Sequence, residues 1–329
     1  NNTLTNNTAK ENTGFDFYVS ASSDAHCSNV IENNMGSGNR PIKYYNSPVD
    51  LSNEILSELI LCNANNSTIN NVTIKGSGTL KNNGFLILRT DNSTFTNINS
   101  SNSYYGISMW SSSNNTLTNN TANLNSYYGI SMWSSSNNTL TNNTANLNSY
   151  YGISMWSSSN NTLTNNAANL NSYGIWLASS SNNNTFTENA ANLNSYGIWL
   201  ASSSNNLLYH NNLINNTNNN AYDTSTNQWN TSTVGNYYSD YTGSDSDGIG
   251  DTSYQIPGRS SIDYFPLVHP WEKTPLKGDL DDDDKTTSKD AAIALQIAVG
   301  SRQFDDAADV SGDGRVSSLD ALIILQMVT

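Results

Sequence analysis

The 329-residue sequence predicts an all-β right-handed parallel β-helix, a solenoid, followed by a small C-terminal α-helical unit with calcium-type loops. Three observations carry that prediction: an exact internal repeat, the spacing of apolar residues inside it, and an abrupt change of composition near residue 277. Residues 103–125, SYYGISMWSSSNNTLTNNTANLN, recur letter for letter as residues 126–148. A third copy, 149–171, departs only at Ala167, and two looser copies open at Ser172 and Ser195. Units of one length and one sequence stack in register, so the period itself specifies a repeat architecture. Within a copy the apolar residues come in short alternating bursts, Ile107 and Met109, then Leu117, then Ala122 and Leu124, the pattern of brief strands separated by turns. Ser, Asn, Thr and Gly fill the gaps, and these residues disfavour helix interiors, which with the scarcity of leucine argues against a leucine-rich repeat.

One coil therefore holds three short strands, and about ten coils between Asn1 and Asn230, stacked at the ~4.8 Å interstrand spacing, give a rod about 45 to 50 Å long. Inward Ile, Leu and Met pack on their copies above and below, while turn asparagines are placed to form amide ladders. Residues 1–9, NNTLTNNTA, equal residues 114–122, so the chain is expected to open inside a repeat with uncapped strand edges. The expected boundaries are 1–235 for the β-helix, 236–270 for an acidic closing segment, 271–278 for a linker and 279–329 for a loop-helix pair.

Net charge is −14, and 17 of the 27 Asp and Glu lie from Asp240 onward. That balance disfavours nucleic acid and anionic lipid as partners. Between Arg89 and Arg259 there is no Lys or Arg. No apolar run approaches the ~20 residues of a membrane span, and the start has neither Met nor a signal peptide, so a processed, exported, cell-surface chain is expected. Asn71, Asn92 and Asn230 open glycosylation sequons. Those at Asn114, Asn137 and Asn160 would lie about 5 Å apart in neighbouring coils, where glycans collide, so these are expected to be ladder asparagines. Cys27 and Cys62 allow one disulfide, the alternative being two buried thiols.

The C-terminal loops read DLDDDDKTTSKD over residues 279–290 and DVSGDGRVSSLD over residues 309–320. Each is a twelve-residue calcium-type loop with oxygen ligands at positions 1, 3, 5, 9 and 12 and a backbone carbonyl at position 7. The expected ligand positions are Asp279, Asp281, Asp283, Lys285, Thr287 and Asp290 in the first, and Asp309, Ser311, Asp313, Arg315, Ser317 and Asp320 in the second. Each loop runs into an apolar helix, while Pro270 and Pro275 deny the first loop an entering helix. Two loop-helix units without entering helices resemble a type I dockerin module, which implies folding on Ca²⁺ and docking onto a cohesin-type domain. Position 6 of the first loop is Asp284 where glycine normally turns the chain, and the helix-start pairs Ser288-Lys289 and Ser318-Leu319 differ from each other.

A further acidic loop, Asp245-Ser-Asp247-Gly-Ile-Gly-Asp251, is either a third cation loop or a calcium-free turn. With Asn236-Tyr-Tyr-Ser-Asp-Tyr before it and Asp263-Tyr-Phe-Pro-Leu after it, the segment resembles the closing element of NosD-like archaeal surface β-helix proteins, as do the Tyr-Gly-Ile and Ser-Ser-Ser-Asn-Asn-Thr blocks of the repeats. That resemblance implies that the segment covers the C-terminal end of the β-helix.

Sugar-cleaving β-helices need paired carboxylates, or a carboxylate with arginine and lysine, on one face. From Asn92 to Tyr222 the repeats offer Glu188 as the one acid, no base except His210, and no Lys or Arg. No catalytic residue and no enzyme activity are expected. Trp110, Trp133 and Trp156 fall in line, with Trp176 and Trp199 displaced to the outward position of Ser108, a stripe that suits either sugar binding or packing between coils. The function expected is a structural, extracellular β-helix rod linked by its calcium-stabilised module to itself, as a head-to-tail filament, or to a cohesin-type partner. The alternative is a carbohydrate-binding or carbohydrate-active component recruited by that module, with surface glycans as further partners.

Overall fold

Alternation within each copy sends one set of side chains to the axis of the coil. Ile107, Ile130, Ile153, Ile175 and Ile198 form one buried row, Met109, Met132, Met155, Leu177 and Leu200 a second, and Ala122, Ala145, Ala168 and Ala191 a third. The computed structural model describes residues 1–272, 276–281 and 285–328 and forms two units, Asn1–Trp271 and Glu272–Thr329. In the first unit a ten-stranded sheet runs from Asn34–Gly36 to Asn219–Asp223, and an eight-stranded sheet from Asp50–Leu56 to Leu207–Tyr209. All pairs within these two sheets are parallel except Asn34–Gly36 with Arg40–Tyr45. A third row of single bridges links Thr121, Thr144, Ala167 and Ala190. Identical residues pair across coils: Ile107 faces Ile130, Met109 faces Met132 and Trp110 faces Trp133. The fold is the expected parallel β-helix.

Gly129 shows how tightly the coils approach. A Cβ there would meet the carbonyl oxygen of Gly152 at 2.7 Å, so the Tyr-Gly-Ile motif has glycine because the next coil's backbone occupies the space.

Three buried asparagine ladders run the length of the array, through Asn115, Asn120 and Asn125 and their copies. In each, one residue's backbone N–H donates to the side-chain oxygen of the next copy, as from Asn115 to Asn138 at 2.9 Å, from Asn120 to Asn143 at 3.0 Å, and from Asn125 to Asn148 at 2.9 Å. Every ladder therefore ends, toward the C-terminus, on donors without a further asparagine. Acceptor-only carboxylates receive them. Asn227 donates to Asp223 at 2.9 Å, the backbone of Asn236 to Asp263 at 2.8 Å, and Asn220, at the end of the third ladder, to Asp240 at 2.6 Å. Trp229 and Tyr238 fill the end of the core beside these aspartates.

Burial raises the Asp263 pKa to about 6, against the opposing pull of hydrogen bonds from Asn236, Phe265 and Tyr238. The folded chain thus holds this proton more tightly than the unfolded one, and stability is lost as pH rises from about 4 through about 6. A shift of roughly two units corresponds to about 3 kcal/mol. The urea midpoint of the β-helix, read from its aromatic near-ultraviolet signal, is expected to be higher at pH 4 than at pH 7. In Asp263→Ala that difference shrinks.

Three expectations are corrected by the fold. Leu124 is not inward: it sits at φ +59°, 39% exposed, because the chain turns there and rotates the side chain outward. Asn114, Asn137 and Asn160 are exposed at φ near +58°, and the ladders use the following residue, Asn115, Asn138 and Asn161. An asparagine tolerates the left-handed turn, which then aims its neighbour into the stack. The N-terminal repeat fragment does not extend the rod. Thr3–Thr5 pairs with Val30–Glu32, Asn2 and Asn7 ladder onto Asn29 and Asn34, and Leu4, Phe15, Phe17 and Val19 pack on the outer face of the ten-stranded sheet over Ile60, Leu86 and Leu88. Those outward positions are apolar in the first coils and need a cover.

Cys27 and Cys62 form a disulfide that pins this cover to the sheet. Closing a loop of 35 residues removes about 4 kcal/mol of chain entropy from the unfolded state in the loop-closure treatment. Glu58, buried beneath the cover, accepts from the Phe17 N–H at 3.0 Å; burial and the neighbouring Asp16 push its carboxyl well above its usual range.

Candidate calcium loops and docking helices

The second unit is built on two helices, α1 (Ser288–Ala298) and α2 (Ser318–Met327), joined by a core that includes Ile293, Ile297 and Ile324. Each starts with a capping box in which the ninth loop residue caps the helix and the twelfth bonds back. Asp290 accepts from the Thr287 N–H and hydroxyl, both at 2.8 Å, and from the Leu280 N–H at 2.7 Å. Asp320 does the same with Ser317 and Ser311, at 2.8 and 3.0 Å from their N–H groups. One carboxylate thereby ties the start of each loop to its helix. Burial opposes ionisation of Asp320, but the donors of Ser311 and Ser317 outweigh it and hold the pKa at about 2.

In the first loop Asp279, Asp281 and Asp290 bring one carboxylate oxygen each to within 4.8 Å of one another. Asp283 lies outside the described residues, as does Asp284. Both oxygens of Asp281 are buried, and no backbone or hydroxyl donor among the described residues meets them; the Lys289 ammonium lies 2.6 Å from Oδ2 as an ion pair. Buried carboxylate oxygens that meet no backbone donor, converging with two more carboxylates, fit a hard cation, so Asp279, Asp281 and Asp290 would hold Ca²⁺. Lys285 and Thr287 lie where the loop pattern places a carbonyl and a hydroxyl.

The second loop does not close into so tight a carboxylate group. The backbone instead wraps Asp309, whose oxygens accept from the N–H groups of Gly312, Asp313 and Gly314 at 2.8 to 3.1 Å and from the Ser311 hydroxyl at 3.2 Å. Burial works against ionisation of Asp309, and these donors lower its pKa nonetheless. Asp313 and Arg315 are exposed, the Arg315 N–H donating to Asp313 at 2.9 Å, and Ser317 caps α2.

Asp245, Asp247 and Asp251 do not converge. Asp245 accepts from the N–H groups of Asp247 and Gly248, Asp247 from that of Ile249, and Asp251 from the Ser244 hydroxyl, so each closes a local turn. Of the sequon asparagines, Asn71 and Asn92 are exposed, while Asn230 is half-buried and accepts from the Tyr264 N–H.

The helices expose unequal faces. Along α2, Leu319, Leu322 and Leu325 stand 52, 52 and 48% exposed, one stripe at helical spacing. The positions thirty residues earlier on α1 are Lys289, Ala292 and Leu295. Sequence reasoning stopped at the helix-start pair and missed Leu322 and Leu325, which the duplicated register could have found.

The family model described as periplasmic copper-binding protein (NosD) matches residues 50–243, more than half of the chain. The chain belongs to the NosD family. A second model, the dockerin type I domain, matches residues 277–329 of this NosD-family chain. No curated protein matches it. Among solved structures it is similar to the A-modules of the mannuronan C-5 epimerases AlgE6 and AlgE4 of Azotobacter vinelandii, each at 12% identity with TM-scores of 0.37 and 0.35. Each match covers 69% of this chain, which spans 62 and 60% of the two A-modules. None of these matches indicates an archaeal source.

The expectation that the chain is not an enzyme is corrected here, because these β-helix neighbours are enzymes. The carboxyls with raised pKa values, Glu58 and Asp263, lie outside residues 92–222.

Copper fits the described residues poorly. Soft or imidazole ligands would be required, yet Cys27 and Cys62 are bonded together, Met109, Met132 and Met155 are buried in the core, and the three histidines join no metal-sized cluster. No helix among the described residues is long and apolar enough to cross a membrane.

Proposed function

We propose that this NosD-family chain is an exported subunit of a cohesin-organised, cell-surface assembly, held there by its calcium-folded C-terminal unit, with the β-helix as the part delivered. The observation that carries the reading is the leucine stripe on α2, set on a helix that two aspartates and a calcium-type loop position. A disulfide inside the β-helix suits an oxidising compartment. Because α1 carries Lys289 and Ala292 where α2 carries Leu319 and Leu322, docking through α2 is favoured over docking through α1. The partner surface would be apolar.

The test is binding of the full chain to a panel of cohesin domains in calcium. Leu322→Asp is expected to weaken binding about thirtyfold or more, the loss typical of a central interface anchor, while Ala292→Asp changes it little. Equal losses from both variants, or undiminished binding in EDTA, would reject the reading. A head-to-tail filament is a second reading, favoured by the outer edge of Thr3–Thr5, which has no strand partner among the described residues. Sedimentation of the full chain in calcium separates the two, since a filament requires polymer without any cohesin.

A further inference from the structure

The outer face of the ten-stranded sheet changes character along the rod. In the first coils its outward residues, Ile60, Leu86 and Leu88, lie under the N-terminal segment. In register with Leu86 the next three coils carry Ser108, Ser131 and Ser154, and in register with Leu88 they carry Trp110, Trp133 and Trp156. Across the strand stands a row of tyrosines, Tyr105, Tyr128 and Tyr151. The serines thus floor a groove, of about 160 Å³, between an aromatic wall of tyrosine and one of tryptophan; Ser108 and Ser154 are buried and Ser131 is half-buried. At the fourth coil Trp176 replaces serine and lies 5.0 Å from Tyr151 and 5.5 Å from Trp156, ring centre to ring centre, so it spans both walls and closes the groove.

The tryptophans stack with centres 5.1 to 5.5 Å apart and planes within 16° of parallel. Contact between parallel rings needs only about 3.5 to 4.0 Å, so each ring is displaced sideways from the next and leaves part of its face uncovered. Trp133 is 45% exposed. The Trp110 N–H donates to Ser108, which bonds Ser131, whereas those of Trp133 and Trp156 donate to no acceptor among the described residues. Burial pushes the Tyr151 hydroxyl up to about 12, which keeps it a neutral donor.

No lysine or arginine lies between Arg89 and Arg259, and Glu188, the one acid between Asn92 and Tyr222, follows a strand of the other sheet. An anionic chain would find no counter-charge. A sugar ring has C–H faces for aromatic walls and hydroxyls for a serine floor, and a residue of an extended β-linked glycan is about as long as one coil is high, ~4.8 Å.

We propose that this groove binds a single chain of an uncharged, extended β-linked polysaccharide, laid along the rod with one sugar per coil. The site is distinct from the cohesin-docking helices and independent of them.

The test is calorimetric titration of the full chain, in calcium, with cello-hexaose, manno-hexaose, xylo-hexaose and, as the anionic β-linked member, hexa-mannuronate. Two variants probe the groove. Ser131→Trp fills the floor with the residue found at position 176, where Ala178 takes the place of the wall tryptophan, and Trp133→Ala removes half-exposed wall. Both are expected to lower affinity at least tenfold, while Leu193→Ser, at an exposed corner away from the groove, leaves it unchanged; circular dichroism confirms folding of each. Binding to none of the uncharged hexamers, tighter binding of hexa-mannuronate, or undiminished binding by folded Ser131→Trp overturns the proposal.

Discussion

Chelation of calcium is expected to abolish most of the helical circular dichroism signal while leaving the aromatic near-ultraviolet signal of the β-helix intact. The helices α1 and α2 occur in the unit that holds the carboxylate loops, and the small core of that unit cannot offset clustered negative charge without a cation. Asp279, Asp281 and Asp290 would repel one another at less than 4.8 Å once the ion leaves. Titration with EDTA of the full chain, followed at 222 nm, reads the change, and restoration by Ca²⁺ but not by Na⁺ completes it. Asp309→Ala is expected to raise the calcium needed for refolding more than Lys289→Ala, since Asp309 organises four donors of its loop and Lys289 contacts Asp281 from the helix surface. A spectrum unmoved by EDTA would remove calcium from the account.

The second large effect is expected at Asp223→Ala. This fully buried carboxylate accepts from the Ser225 N–H at 2.8 Å, the Asn227 amide at 2.9 Å, the Trp229 indole at 3.0 Å and the Ser261 hydroxyl at 2.7 Å. Alanine strands all four donors at the end of the core. Each stranded buried donor costs about 1 to 3 kcal/mol, and because they share one site a total of about 4 kcal/mol is expected. Urea unfolding followed by tryptophan fluorescence measures it. Asp245→Ala, in an exposed turn of local bonds, serves as the comparison and should shift the midpoint little.

The repeat made the solenoid readable because exact copies can satisfy the same contacts only by stacking in register. What it left ambiguous was local. Two adjacent asparagines, Asn114 and Asn115, carry the same side chain, and only the backbone turn decides which enters the ladder. Leu124 fits an alternating pattern on paper, but a left-handed turn breaks the alternation at that residue. The N-terminal fragment matches a coil in sequence, yet its place is set by Ile60, Leu86 and Leu88, whose outward exposure depends on tertiary register. In the C-terminal unit the loop spacing located the carboxylates, while the inequality of the two loops came from backbone donors that wrap Asp309 and leave Asp281 without any. The open alternative at Cys27 and Cys62 required the fold, because 35 intervening residues say nothing of proximity.

The asparagine ladders bond each coil only to its neighbours and meet their terminal acceptors only at the last coil. Losing residues 126–148 as a block would bring Asn125 against Ser149, the same junction that Asn148 already makes, and every donor would still find an acceptor. A one-residue difference is matched only where a turn absorbs it, as between Asn184 and Asn206, which ladder at a separation of 22 rather than 23. Rod length is therefore a heritable quantity that can change by recombination between copies, in steps of one coil or ~4.8 Å, while both ends of the molecule keep their sequence.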